Sequence, residues 1–308
     1  VSRYHLFVLC FYFSATLVGA DVEVRTLIVE DIERRYLLSV PVGIAPDDGW
    51  PLVLMLHGGG GNPESFQALS QMDVVGEREG FITLYGEALA GGWTAGVGAD
   101  PTGQAELPYL DAVLQDVADQ HPVNSERRFV AGHSNGGEMA YLLVRNRPYT
   151  FAGLATVNSP VIEGSLEGIL GQATFVMLFY GTADPLVPIN GGPVGNGERI
   201  GLPAATVIDW WKTNLRVPAS PSVIMPLPDI EDDGTTTTLT EFSPGTGGVA
   251  LRVLIISNGG HGWPGSPGGL PPSVIGITAQ DFEASEEIWN YFQDKILIPG
   301  QAHGIAIY

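Results

Sequence analysis

One stretch constrains this chain more than any other, the run from Arg128 to Ala140. An apolar segment, Phe129 to Ala131, meets Gly132-His133-Ser134-Asn135-Gly136, and a helix-compatible segment, Glu138 to Arg145, follows. That order predicts a strand, a tight turn and a helix, with a serine at the tip of the turn. Glycines two before and two after Ser134 suit a turn whose backbone neighbours leave no room for a Cβ. Such a turn lifts the hydroxyl out of a sheet and aims the first helical N–H groups at the same point. The pentapeptide occurs once, although glycine supplies 41 of 308 residues. Its strand–turn–helix context therefore carries the reading, and a chance match in a glycine-rich chain is the alternative.

The rest of the chain reads as strands alternating with helices. Val22 to Glu30 and Arg34 to Val42 predict two antiparallel strands turning at Asp31-Ile32-Glu33. Leu52 to Leu56 is a continuous apolar run, as expected of a strand buried on both faces. It ends in His57-Gly58-Gly59-Gly60-Gly61-Asn62, where glycines let backbone N–H groups approach a ligand. A phosphate loop would need Gly-Lys-Ser/Thr here, and Asn62-Pro63 follows instead, so an oxyanion loop braced by His57 fits better. Phe81 to Tyr85, Gly153 to Val157, Ala173 to Tyr180 and Leu251 to Ile256 predict further strands. Leu107 to Gln120, Ala204 to Leu215 and Thr278 to Lys295 predict helices. Ile189 to Leu202 reads as irregular, and Pro218 to Thr238 as a surface excursion. With no repeat and no internal linker, the alternation predicts one doubly wound, mostly parallel sheet with helices on both faces and no large lid domain, the α/β-hydrolase fold.

Composition narrows the function. The net charge is −20 with only two lysines, Lys212 and Lys295, which argues against nucleic acid and anionic membranes as partners. Arg3 and His5 precede the apolar run Leu6 to Leu17, and Val18-Gly19-Ala20 closes it with small residues. This predicts a signal peptide over 1–20, with a retained anchor as the alternative, then a catalytic domain over 21–297 and a tail over 298–308. The expected destination is secreted, extracellular or periplasmic, with no stable membrane association after cleavage. The only cysteine, Cys10, lies inside the leader, so no disulfide is expected in the mature chain.

Three residues fall on loops after predicted strands, in the order Ser134, Asp184, His261. Serine, acid, histidine is the order this fold uses for acyl transfer. A serine hydroxyl needs a base to become a nucleophile; His261 would take its proton and Asp184 would orient the imidazole. Asp209 and Asp232 are the other acids available. The N–H groups of Asn135 and Gly59 would hold the oxyanion. Trp93, set between glycines on a loop, either packs in the core or walls a pocket. No His-Glu-x-x-His and no cysteine cluster is present, so metal catalysis is not expected.

Several of these motifs together resemble an esterase family that joins secreted polyhydroxybutyrate depolymerases, LpqC-like mycobacterial lipoproteins, and feruloyl and acetylxylan esterases of carbohydrate esterase family one. The matching pieces are Pro51 to Asn62, Gly132 to Gly137, Gly181 to Pro188 with Gly191 to Pro193, Gly260 to Gly265, and Ala284 to Trp289. The resemblance runs from about Arg34 to Phe292. It implies a secreted, cofactor-free serine ester hydrolase with Ser134, Asp184 and His261 as its triad. Gly59 stands where the family often has cysteine; a backbone donor survives that change. Trp263 matches a family tryptophan beside the histidine and is read, with Trp93, as an aromatic wall for the acyl group. Related polyester depolymerases often carry a linker and a polymer-binding domain, and this sequence has neither. The expected substrate is therefore a feruloylated or acetylated oligosaccharide, with a hydroxyalkanoate oligomer or other polyester as the alternative. A serine peptidase and a non-catalytic binding protein are the remaining readings.

Overall fold

The computed structural model describes residues 21–95, 106–166, 170 and 172–298. The proposed leader and nearly all of the tail lie outside them. In chain order the elements are β1 (Val22–Val29), β2 (Ile32–Ser39), β3 (Trp50–Leu56), α1 (Pro63–Ser70), α2 (Met72–Glu79), β4 (Ile82–Gly86), α3 (Leu107–Gln120), β5 (Val123–His133), α4 (Asn135–Asn146), β6 (Gly153–Val157), β7 (Phe175–Gly181), β8 (Gly192–Val194), β9 (Arg199–Gly201), α5 (Ala204–Leu215), β10 (Val223–Pro226), β11 (Thr236–Phe242), β12 (Leu251–Ser257), α6 (Pro272–Ile275) and α7 (Ala284–Phe292).

Ten strands form one sheet in the order β1-β2-β4-β3-β5-β6-β7-β12-β11-β10. The six from β4 to β12 run parallel, and the strands at both ends of the sheet are antiparallel. Parallel strands need helical crossovers, and these cover both faces. Leu52 to Leu56 and Phe175 to Gly181 are buried throughout, as their unbroken apolar runs require. Below the sheet's central strands α7 packs by aromatic contacts, Trp289 on Phe81 and Phe292 on Phe129, with ring centroids 4.0 and 4.6 Å apart. Tyr141 of α4 stacks on Trp211 of α5 at 5.8 Å. This is the α/β-hydrolase fold, without a large lid insertion among the described residues.

Four local expectations are corrected. The first hairpin turns at Glu30-Asp31, not over three residues, because both adopt positive φ (50° and 64°) and close a two-residue turn that pairs Val29 with Ile32. Ile189 to Leu202 contains the small antiparallel hairpin β8–β9. The surface excursion contributes β10 and the start of β11. In β11, Thr237, Leu239 and Phe242 are buried on a strand made chiefly of β-branched threonines. The closing helix starts at Ala284 rather than Thr278. Residues before it lie extended along the His261 loop, where Gly260 and His261 donate to the carbonyls of Ile277 and Ile275 and Gly265 donates to that of Ala279.

Candidate active site

The C-terminal ends of β3, β5, β7 and β12 converge on one cleft of about 580 Å³. Its floor is the turn between β5 and α4. Ser134 sits there with φ 52° and ψ −121°, a conformation costly for any residue with a Cβ, on the order of 1–3 kcal/mol. The surrounding backbone enforces it. A Cβ on Gly136 would lie 2.1 Å from the Leu56 carbonyl oxygen, and one on Gly132 would lie 2.4 Å from Gly136. Both glycines flanking the serine are therefore required by close approach. Ser159 Oγ donates to the Ser134 carbonyl at 2.9 Å, and the Ser134 N–H donates to that of Val157 at 3.0 Å.

His261 lines the same cleft, on the loop after β12. Its Nδ1 lies 2.6 Å from Asp184 Oδ2, and both side chains are almost wholly buried. The other Asp184 oxygen accepts the N–H groups of Leu186 and Val187, each at 2.8 Å. A carboxylate saturated in this way accepts from Nδ1–H and leaves Nε2 of the ring as the basic nitrogen. Asp209 is instead paired with Lys212 on the solvent-facing side of α5.

Gly59 and Asn135 line the cleft beside Ser134. In the glycine loop, Gly60 donates to Gly91 at 2.7 Å and Gly61 to Gly58 at 3.0 Å. The N–H groups of Gly59 and Asn135 have no acceptor among the described residues, which leaves both for a ligand. Side-chain amide bonds fix their spacing. Asn135 Oδ1 accepts from the Trp93 N–H at 2.7 Å while its Nδ2 donates to the Trp93 carbonyl at 3.1 Å. Trp93 Nε1 donates in turn to the His57 carbonyl at 2.9 Å. His57 braces the loop from beneath. Its Nε2 accepts from the Ala88 N–H and its Nδ1 donates to the Gly58 carbonyl, and burial lowers its pKa.

The two tryptophans part company. Trp263 lines the cleft, 1% exposed, with its indole N–H on Ser285 Oγ at 3.3 Å and its ring edge-on to Phe66. Trp93 does not line it. Its ring is buried against His57 and its N–H is engaged beneath the glycine loop, so it acts on the cleft through the loop and not as a wall. The aromatic wall on this side is Phe66 and Trp263.

Sequence reasoning also passed over residues that hold the site. Asn158, buried at the end of β6 with φ 49°, donates from Nδ2 to the carbonyls of Gly260 and Gly262 and accepts the Gly181 N–H on Oδ1. One amide thus ties the acid loop and the histidine loop together. His133 Nε2 donates to the His261 carbonyl at 2.8 Å, and its ring packs among Phe66, His261 and Trp263. Burial, then the nearby His261, pushes its pKa down to about 3. Glu138 bridges Asn135 Nδ2 and Arg199 Nη1, and burial raises its pKa. Among the described residues no group of three His, Cys, Asp or Glu side chains could hold a metal ion, and no helix is long and apolar enough to cross a membrane.

Residues 34–210 match the model of the family described as esterase PHB depolymerase, more than half of the chain. The chain belongs to that family. It is 26% identical over 279 residues to the putative esterase NocK of Nocardia uniformis subsp. tsuyamanensis, covering 87% of this chain and 81% of that one. It is 27% identical over 165 residues to feruloyl esterase C of Emericella nidulans, and that match spans 52% of this chain and only 58% of the relative. Among solved structures, the acetyl xylan esterase from Aspergillus awamori superposes with a TM-score of 0.62 at 12% identity, covering 88% of this chain and 99% of that one, which shows the shared fold. This family member is an esterase-type hydrolytic enzyme of the serine-hydrolase kind.

Proposed function

We propose that this esterase hydrolyses carboxylic esters through an acyl-enzyme on Ser134, and that its substrates are feruloyl or acetyl esters of oligosaccharides outside the cell. The observation that carries the mechanism is the buried 2.6 Å contact of His261 Nδ1 with Asp184, behind a serine held at positive φ on the cleft floor. Ser134 Oγ attacks the ester carbonyl as His261 Nε2 takes its proton. The developing oxyanion lies between the N–H groups of Asn135 and Gly59, where fixed donors need no reorganisation. His261 then delivers the proton to the leaving alcohol, and water repeats the sequence on the acyl-enzyme. Asp184 keeps the imidazole in one tautomer and stabilises its protonated form. The likeness to feruloyl esterase C and the edge-on pair Phe66 and Trp263 support an aromatic acyl group. A hydroxyalkanoate oligomer is the second reading, supported by the family match and by Leu270, 61% exposed on the cleft rim.

Rates on methyl ferulate, acetylated xylan oligomers and hydroxybutyrate oligomers separate these readings. In Ser134→Ala every rate should fall by about 10⁴-fold or more. Activity that survives this substitution overturns the mechanism. A hydroxybutyrate preference in the unsubstituted protein overturns the oligosaccharide assignment.

A further inference from the structure

The cleft is nearly devoid of formal charge. Of the described side chains that line it, Arg199 alone carries a fixed one, and no carboxylate lines it. Burial depresses the pKa values of its neighbours His57 and His133, which keeps both neutral. Arg199 opens β9 on the β8–β9 hairpin, and its side chain is 30% exposed. Its Nη1 donates to Glu138 Oε1 at 2.7 Å. Glu138 is 4% exposed and lines a different cavity, next to Tyr141 and Arg145, so of this ion pair Arg199 lines the cleft and Glu138 does not. A guanidinium has five N–H donors in a planar fork. One is fixed by Glu138, and the others bond to no described residue. The fork is therefore pre-oriented with donors to spare, the arrangement that suits a bidentate carboxylate.

Resting on the ester-hydrolase reading above, we infer that Arg199 forms a carboxylate-binding subsite, which favours esters whose acyl or alcohol half carries a free carboxylate. The end of a hydroxyacid oligomer and a uronic acid beside an esterified sugar both present that group. The rest of the protein works against such a preference. With a net charge of −20, an uncharged cleft would disfavour an anionic substrate relative to a neutral one of the same shape. A preference for the anion thus requires a local cation.

Two matched pairs test this. The linear hydroxybutyrate dimer and its primary amide place the charge on the alcohol half; monoethyl succinate and ethyl succinamate place it on the acyl half. The readout is the ratio of kcat/KM for acid over amide, from which any general loss of activity cancels. The native protein should favour the acid in one pair, mainly through KM. In Arg199→Gln that ratio should drop about tenfold, and Arg199→Lys should recover part of it. The subsite is overturned if the amide is preferred in both pairs by the native protein, a result that needs no variant to fold. It is equally overturned if Arg199→Gln leaves both ratios unchanged. If the protein hydrolyses methyl ferulate or acetylated xylan oligomers but none of the four, or hydrolyses the four without charge preference, the subsite alone is overturned; no hydrolysis of any of these esters overturns the ester-hydrolase reading and the subsite with it.

Discussion

The floor of the cleft and its far wall are held by different forces. At the floor, β3, β5 and the start of α4 touch through backbone atoms, and sterics leave one conformation open to Ser134. At the wall, the irregular acid and histidine loops and the short β8–β9 hairpin are held by side-chain hydrogen bonds that involve Asn158, His133 and the pair of Arg199 with Glu138. A steric constraint is all-or-none, since a missing Cβ cannot be added in part. A hydrogen-bonded constraint is graded, because each bond contributes about 1 kcal/mol and the loops can relax when one is lost. The position of Ser134 is thus fixed by the fold, while that of His261 is adjustable.

The largest expected break in that contrast is at the floor. Gly136→Ala places a methyl 2.1 Å from the Leu56 carbonyl oxygen and 2.4 Å from that of His57, both parts of a buried strand end that cannot withdraw. A loss of about 4 kcal/mol or more is expected, enough to abolish soluble expression or a cooperative thermal transition. A variant with native Tm and native rates would show that sterics do not set the elbow. At the wall, Asn158→Ala removes three hydrogen bonds and strands the Gly181 N–H and two glycine carbonyls in the interior. Here the expected loss is about 3 kcal/mol, with kcat about tenfold lower and KM little changed, since on the proposed mechanism the base, His261, is displaced while Phe66 and the glycine loop stay in place. An equal loss of stability with native kcat would make Asn158 a purely structural tie.

The same contrast explains which parts were legible from sequence. Gly132 and Gly136 stand beside the serine they constrain, so a local pattern carries the whole steric argument. Asp184 follows a continuous apolar strand and His261 a mostly apolar one, and the fold places strand ends together. Asn158 also follows a strand, but its partners Gly181, Gly260 and Gly262 are distant in sequence, and a single asparagine before Ser159 looks like an ordinary loop residue. Trp93 was ambiguous for a related reason. Whether an indole faces a pocket or lies beneath a loop depends on what its N–H bonds, here a carbonyl thirty-six residues away. β11 was hidden because threonines form its pairing residues, and hydropathy undervalues them as strand formers. Thr278 to Glu283 reads as part of the last helix because nothing local reports that this segment pairs with the His261 loop.

The smallest expected effect sharpens the comparison where floor and wall meet. His133 belongs to the elbow, yet its Nε2 donates to the carbonyl of His261. Its pKa falls from an ordinary value near 6.5 to about 3 in the fold, chiefly through burial and then through His261. The unfolded chain therefore binds the proton more readily than the folded one between these values. Stability from the neutral ring is fully present above about pH 6.5 and is lost as pH falls toward 3, by at most about 1.4 kcal/mol per pH unit. Glutamine at this position keeps a donor for the His261 carbonyl and cannot titrate. Denaturant unfolding between pH 6 and 4 should show a shallower fall in stability for His133→Gln than for the native protein, by about 1 kcal/mol per pH unit. Parallel curves would mean that the ring protonates in place at little cost. The floor would then be as adjustable as the wall at this one contact, and the division drawn between them would have to move to the Ser134 backbone itself.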